Sequence, residues 1–438
     1  MRMQAILSLL SSTPYVQDYF NITHNVLNHL GSISPYHRAH HHNASEIDSE
    51  LPIDCTVDQV MLMHRHGSRG PIGEHRSIER LIQTLYDAAD VIQELELPHE
   101  LEFLRAGYNS SLTPHNLTIL GRKELIDHGV KFALNYPHLT TDVILSSDSG
   151  RVVESARWFA LGFFGLDPDV RIVTVNDKDD PVSWITPAPG PACPRFNYSF
   201  GRQATLTWSK HYLPLITNRL NMLLPGVGFT DDDIHGALFA CAYDMASRGA
   251  SPWCGVFQPD ELANFEYERD ILMDASCAYT LPDNMAPLVG TVFVNKLIER
   301  FTDSKGDSRP LYLEFGHDVT ILLALSALGL AKDFLPCQFS RDDPPLSSDE
   351  LRPWRKFRTS ELTPFAANMV WEKFSCTSSY DGPQIRLILN DATMPLDICG
   401  QGMDPTLGSC SLDTFINANH YSTGIQFRDK TWNATCGV

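Results

Sequence analysis

A chain of 438 residues with 43% apolar and 20% charged side chains can build one large domain with an insertion, or two domains, and its composition excludes a disordered chain. Its 53 acidic against 34 basic residues give a formal charge of -19, which disfavours nucleic acid and anionic membranes as partners through long-range repulsion. No stretch is long and apolar enough to span a bilayer.

Residues 1–50 form a mixed, polar N-terminal segment. Its apolar run Ala5-Ile6-Leu7-Ser8-Leu9-Leu10 is shorter than the core of an ordinary secretory signal, so the start reads as truncated or misassigned. His37, His40, His41 and His42 form a cluster able to bind a metal, but the neighbouring Arg38, Asn43 and Ser45 favour a solvated loop. Next, Val57, Met61 and Met63 interleave with Asp58 and Gln59 in a beta-like, mostly apolar segment that Gly67, Gly70 and Pro71 force to turn. His66 is thereby placed at the carboxyl end of a strand, the edge where open alpha/beta sheets bind ligands. Arg65 and Arg69, four residues apart in the turn, would converge on a tetrahedral anion, best a phosphate. Apolar residues at helical spacing predict helices over 78–95 and 117–133, with Gly121 and Gly129 weakening the second.

A second strand, 141–146, runs into Ser147-Asp148-Ser149-Gly150-Arg151 and a helix over 152–164, so that Arg151 stands at a helix start, where an anion is already favoured. Between 177 and 285 a proline cluster precedes helical stretches over 213–224 and 234–245, read as a helical insertion or cap suited to substrate selection. A third strand, 311–315, delivers Gly316-His317-Asp318 to an apolar helix over 319–330. Asp318 is suited to cap that helix. A further strand covers 384–390, and the tail from Cys399 is loop-like.

Ten cysteines lack the paired spacing of a zinc site, and disulfides are the better reading. Glycosylation sequons begin at Asn21, Asn43, Asn109, Asn116, Asn197 and Asn433. Together with the cysteines they point to the secretory pathway and an extracellular destination.

Arg65-His66-Gly67-Ser68-Arg69-Gly70-Pro71 as a unit resembles the signature of the histidine acid phosphatases. The resemblance extends over 50–438 through residues 146–157, Gly162-Phe163-Phe164-Gly165, Phe315-Gly316-His317-Asp318, residues 386–391 and the Cys399 to Cys410 segment. The group it resembles is that of the secreted fungal enzymes, phytases and broad acid phosphatases alike. The resemblance implies a histidine-phosphatase (phosphoglycerate mutase-like) alpha/beta fold: a sheet with helices on both faces, over 51–176 and 286–438, and a smaller, mainly helical domain over 177–285. It implies His66 as nucleophile, Arg65, Arg69 and Arg151 as phosphate clamp, His317 as a further phosphate ligand and Asp318 as proton donor, with no metal or other cofactor. It also guides the disulfides Cys55–Cys376, Cys193–Cys436, Cys241–Cys254 and Cys399–Cys410, the last two favoured by short loops as well, and leaves Cys277 with Cys337 by elimination.

The expected activity is a secreted acid phosphatase acting on phosphomonoesters, phytate included, through a phosphohistidine. The alternatives are a dedicated phytase, a mutase-like enzyme, which the cysteines and sequons count against, and a phospho-ligand binder without turnover. Two departures from the family pattern bear on substrate. Gly70 replaces a frequent aromatic residue, and the segment from Phe265 to Asp274, placed at the pocket rim, carries Glu266, Glu268 and Asp270 where phytate-specialised relatives have lysines. An acidic rim would favour small monoesters.

Overall fold

The computed structural model describes residues 26–438, apart from 41–46, 48–49, 111, 167–169, 177–182, 187–191, 304, 307 and 334–345. Strand β1 (Cys55–Arg65) is its axis. From Gln59 onward β1 is buried on both faces, and alternation sends Val60 and Leu62 into one apolar cluster and Met61 and Met63 into another. The sheet runs β3-β2-β4-β1-β5-β6-β7, and β8 (Cys410–Ser411) pairs with β6. Strands β1, β2 (Val143–Ser147), β3 (Arg171–Val175) and β4 (Leu311–Gly316) are parallel, whereas β5 (Asn368–Cys376), β6 (Gln384–Leu389) and β7 (Ala392–Met394) join antiparallel. Because β4 lies between β2 and β1, the three loops that leave their carboxyl ends meet at one edge.

Helices α1 (His75–Asp87) and α2 (Ala89–Glu94) divide the single helix expected over 78–95 at Ala88, yet Leu85, Ala88 and Ile92 still share one buried cluster. Helices α3 (Ile119–Asn135) and α4 (Gly150–Phe164) cover the Val60 and Leu62 face, burying Leu125, Phe132, Val152 and Phe159. Gly129 and Gly162 let the two helices touch, because a side-chain carbon on either would strike the other helix's backbone. The glycines that weaken α3 as a sequence pattern are thus sites of close approach.

Helices α5 (Arg202–Leu223), α6 (Asp231–Arg248) and α7 (Pro259–Cys277) contribute to the larger cluster. That cluster also takes residues of α8 (Met285–Thr302) and α9 (Asp318–Leu328) against Met61 and Met63. Thr230 and Asp233 cap α6 reciprocally, and Gly249 ends it in the left-handed region. β3 and β5 were not anticipated from sequence: β3 is short and mostly exposed, and β5 buries nearly every residue, so neither shows clean alternation.

Disulfides join Cys55 to Cys376, Cys193 to Cys436, Cys241 to Cys254 and Cys399 to Cys410. The first links residues already opposite each other across β1 and β5. Cys277 is buried and bonded to no described cysteine, and Cys337 lies outside the described residues. No described helix is long and apolar enough to cross a membrane.

Candidate active site

His66 follows the last residue of β1 and is 2% exposed. Its amide donates to Gly316 O across the sheet edge (3.2 Å), and its carbonyl accepts from Ala366 N (2.9 Å), so the residue is clamped before its side chain is considered. Nδ1 lies 3.0 Å from Gly67 O. A carbonyl can only accept, so Nδ1 carries the hydrogen and Nε2 keeps a lone pair. Burial, reinforced by the positive charges of Arg65, Arg151 and Arg69 and by His317, holds the His66 pKa well below the ordinary imidazole value. Both effects favour the neutral ring over the protonated one.

Arg65 is 1% exposed, its guanidinium 4.7 Å from the centre of the Phe365 ring. Nη1 donates to Ser32 O and Thr363 O, both at 2.5 Å, and Nη2 lies 2.7 Å from Asp318 Oδ2. Arg69 stands 5.4 Å from the same ring and donates to Gly70 O (2.9 Å). The buried Nε atoms of Arg65 and Arg69 have no acceptor among the described residues, an arrangement that a bound oxyanion would complete.

Arg151, second residue of α4, places Nη2 3.5 Å from His317 Nδ1, while Ser147 Oγ at the end of β2 is 3.3 Å from His317 Nε2. The His317 and His66 rings meet edge to face, 5.8 Å apart. His317, not Asp318, is the N-cap of α9. Asp318 opens the first turn, its Oδ1 accepting from Val319 N (2.9 Å). Burial alone would raise the Asp318 pKa, but Arg65, then His317 and Arg69, outweigh it and hold the carboxyl below the usual range.

Arg65, Arg69 and Asp318 line a cavity of about 200 Å³, with Ile33, Leu272, Met273 and Val319 as apolar wall. The expected acidic rim is absent from it. Glu266, Glu268 and Asp270 are each at most 1% exposed and point away: Glu266 to Arg355 (3.1 Å), Arg358 (3.0 Å) and His29 (3.1 Å), Asp270 to Arg355 (2.6 Å), Glu268 to His235 (2.9 Å). The segment is part of α7, and helical geometry puts Glu266, Asp270 and Asp274 on one face and Arg269, Leu272, Met273 and Ser276 on another. Only the second face reaches the cavity. Arg269 is hidden when the stretch is taken as a line of charges, and a helical projection separates it from its acidic neighbours. It lies 3.8 Å from the Glu74 carboxylate.

Ser32 and Ile33, from the segment expected to be a polar preamble, also line the cavity, and Leu30 and Ile33 are buried in the core. His37 is buried 3.9 Å from Glu361, and His41 and His42 lie outside the described residues. Among the described residues no group of three or more histidines, cysteines or carboxylates is placed to hold a metal. Asn109, Asn116 and Asn197 are exposed, whereas Asn433 is partly buried in a helix with Nδ2 donated to Arg428 O; Asn21 and Asn43 are not described.

The family model of the histidine phosphatase superfamily (branch 2) matches residues 56–390. An acid phosphatase of Schizosaccharomyces pombe is 28% identical over 93% of this chain and 91% of its own length. A phytase of Candida albicans is 28% identical over 95% and 87%, respectively. Among solved structures, a phytase from D. castellii superposes with a TM-score of 0.79 at 24% identity, over 98% of this chain and 90% of that one.

Proposed function

The chain belongs to branch 2 of the histidine phosphatase superfamily, and on that premise we propose how its residues hydrolyse phosphomonoesters as an acid phosphatase. One observation carries the assignment of roles: His66 turns Nδ1 to Gly67 O, which leaves Nε2 to present its lone pair, beside the positive charges of Arg65, Arg69 and Arg151 and the ring of His317, which with burial favour the neutral imidazole. Nε2 attacks phosphorus, the P–O ester bond breaks, and Asp318 gives a proton to the departing alkoxide. Water then attacks the phosphohistidine, the P–N bond breaks, and the Asp318 carboxylate takes the water's proton. The three guanidiniums stabilise the charge on the transferring oxygens throughout.

Asp318 begins as a carboxylate paired with Arg65. A phosphate that engages Arg65 weakens this pairing and adds negative charge nearby, both of which raise the carboxyl pKa toward a working acid. The segment over 177–285 acts as the cap that reads the alcohol portion of the substrate. Its apolar wall suits simple alkyl and aryl monoesters, while Arg269 favours a substrate carrying a second anionic group, which, with the phytases among the chain's relatives, speaks for a dedicated phytase. Disulfides and the exposed sequons at Asn109, Asn116 and Asn197 support a secreted protein.

The test is chemical trapping. Rapid acid-free quenching during turnover should yield a phosphoenzyme stable in alkali and labile in acid, which His66→Ala lacks along with turnover. A folded His66→Ala protein with full activity would overturn the assignment.

A further inference from the structure

We propose that Glu124, on α3, is a positioning residue that sets the catalytic loop from behind, through Ser68. This deepens, and rests on, the phosphatase reading.

Ser68 lies with Gly67 between His66 and Arg69 in the loop and is fully buried. Every polar group it owns is held by α3 or its cap. Glu124 Oε2 accepts from Ser68 N (2.8 Å), Glu124 Oε1 accepts from Ser68 Oγ (2.8 Å), and Ser68 O accepts from Thr118 N (2.9 Å) and Thr118 Oγ1 (3.1 Å). Gly121, one turn before Glu124, leaves no room between helix and loop, since a side-chain carbon there would strike the Ser68 backbone. Glu124 Oε1 also accepts from Tyr36 N (3.1 Å), tying in the segment whose Ser32 carbonyl takes a hydrogen bond from Arg65. A second arm of the same helix reaches the other side of His66. His128 Nδ1 lies 2.9 Å from His64 Nε2, and His64 Nδ1 lies 2.6 Å from Arg65 O.

Burial pushes the Glu124 carboxyl pKa up, and the three groups facing it, two amides and a hydroxyl, are all donors that pull it back down, so both of its oxygens are used as acceptors. An amide side chain would turn an NH2 toward one of them. Glu124 is 8% exposed and lies outside the reaction path in the mechanism above, so its carboxyl group serves the loop and not the substrate. Displacing Ser68 by a fraction of an ångström would shift His66 and Arg69 relative to each other. Misplacement of about 1 Å costs on the order of 100-fold in rate.

The experiment is steady-state kinetics on p-nitrophenyl phosphate, with active sites counted by phosphoenzyme trapping, for the wild type, Glu124→Gln and Ser68→Ala. Glu124→Gln should lower kcat per active site about 10- to 100-fold, with KM changed less than about threefold. Ser68→Ala removes only the hydroxyl leg and should lower kcat about three- to tenfold. Ser68→Ala stands in as the deciding variant should Glu124→Gln fail to fold. A folded variant whose kcat per site stays within a factor of about two of wild type overturns the inference, as does one that loses only thermal stability. Failure of the wild type itself to turn over would instead overturn the phosphatase reading.

Discussion

Arg65 Nη2 lies 2.7 Å from Asp318 Oδ2, so the group assigned as proton donor is paired, in the resting enzyme, with a member of the phosphate clamp. Substrate binding and proton uptake are thereby linked: the anion that occupies Arg65 also loosens its hold on the acid. Asp318→Asn should therefore slow an alkyl phosphate, which needs its leaving oxygen protonated, by about 100- to 10,000-fold, and slow an activated aryl ester far less. The ratio of the two defects, measured as kcat, is the check. Equal losses would show that Asp318 only orients its neighbours.

Arg269 should act on substrates with more than one anionic group. Arg269→Gln is expected to lower kcat/KM for phytate about tenfold or more, the worth of one charge-assisted hydrogen bond, and to leave p-nitrophenyl phosphate nearly unchanged. A parallel loss on both substrates would place Arg269 in the architecture and not in selection.

Glu266 belongs to stability. Burial opposes its ionisation, but His29, Arg355 and Arg358 hold its pKa down at about 2. The folded pKa lies below the unfolded one, so this contribution is present above about 4.5 and disappears as pH falls toward 2. Glu266→Gln removes one of the two carboxylates that hold the buried Arg355, Asp270 remaining, and should cost about 1.5–3 kcal/mol at neutral pH, seen as a lower Tm, with an unaltered phytate-to-monoester ratio. A changed ratio with unchanged Tm would restore the rim reading.

Asp274 has the opposite sign. Burial pushes its carboxyl up to about 7, with Tyr279 N and Thr280 Oγ1 donating to it. The folded chain keeps a proton that the unfolded chain releases near 4, so its stabilisation is full below about 4 and is lost as pH rises to about 7. Asp274→Asn keeps the shape without the charge, and should stabilise the fold relative to wild type at pH 7 but not at pH 3, by on the order of a few kcal/mol, read as a higher Tm at pH 7 alone. A variant equally stabilised, or destabilised, at both pH values would contradict this.

Sequence alone marked the candidate site because its residues sit in contiguous loops. Arg65 to Pro71, Ser147 to Arg151 and Gly316 to Asp318 each follow an apolar strand, and a strand followed by a turn is a local pattern. Their meeting at one edge needs only that the three strands be parallel neighbours, which the order β2-β4-β1 provides.

What tertiary structure decided is the direction and the partners of side chains. Composition marked the 265–274 segment as acidic, but only the docking of α7 determined that Glu266 and Asp270 meet arginines 85 to 92 residues away in the chain while Arg269 meets the cavity. In the same way, Glu124 on an ordinary amphipathic helix became the acceptor for Ser68, 56 residues before it. The physical reason is common to both: a buried charge or hydrogen bond is satisfied by whatever group packing brings within about 3 Å, and sequence spacing carries no record of that pairing.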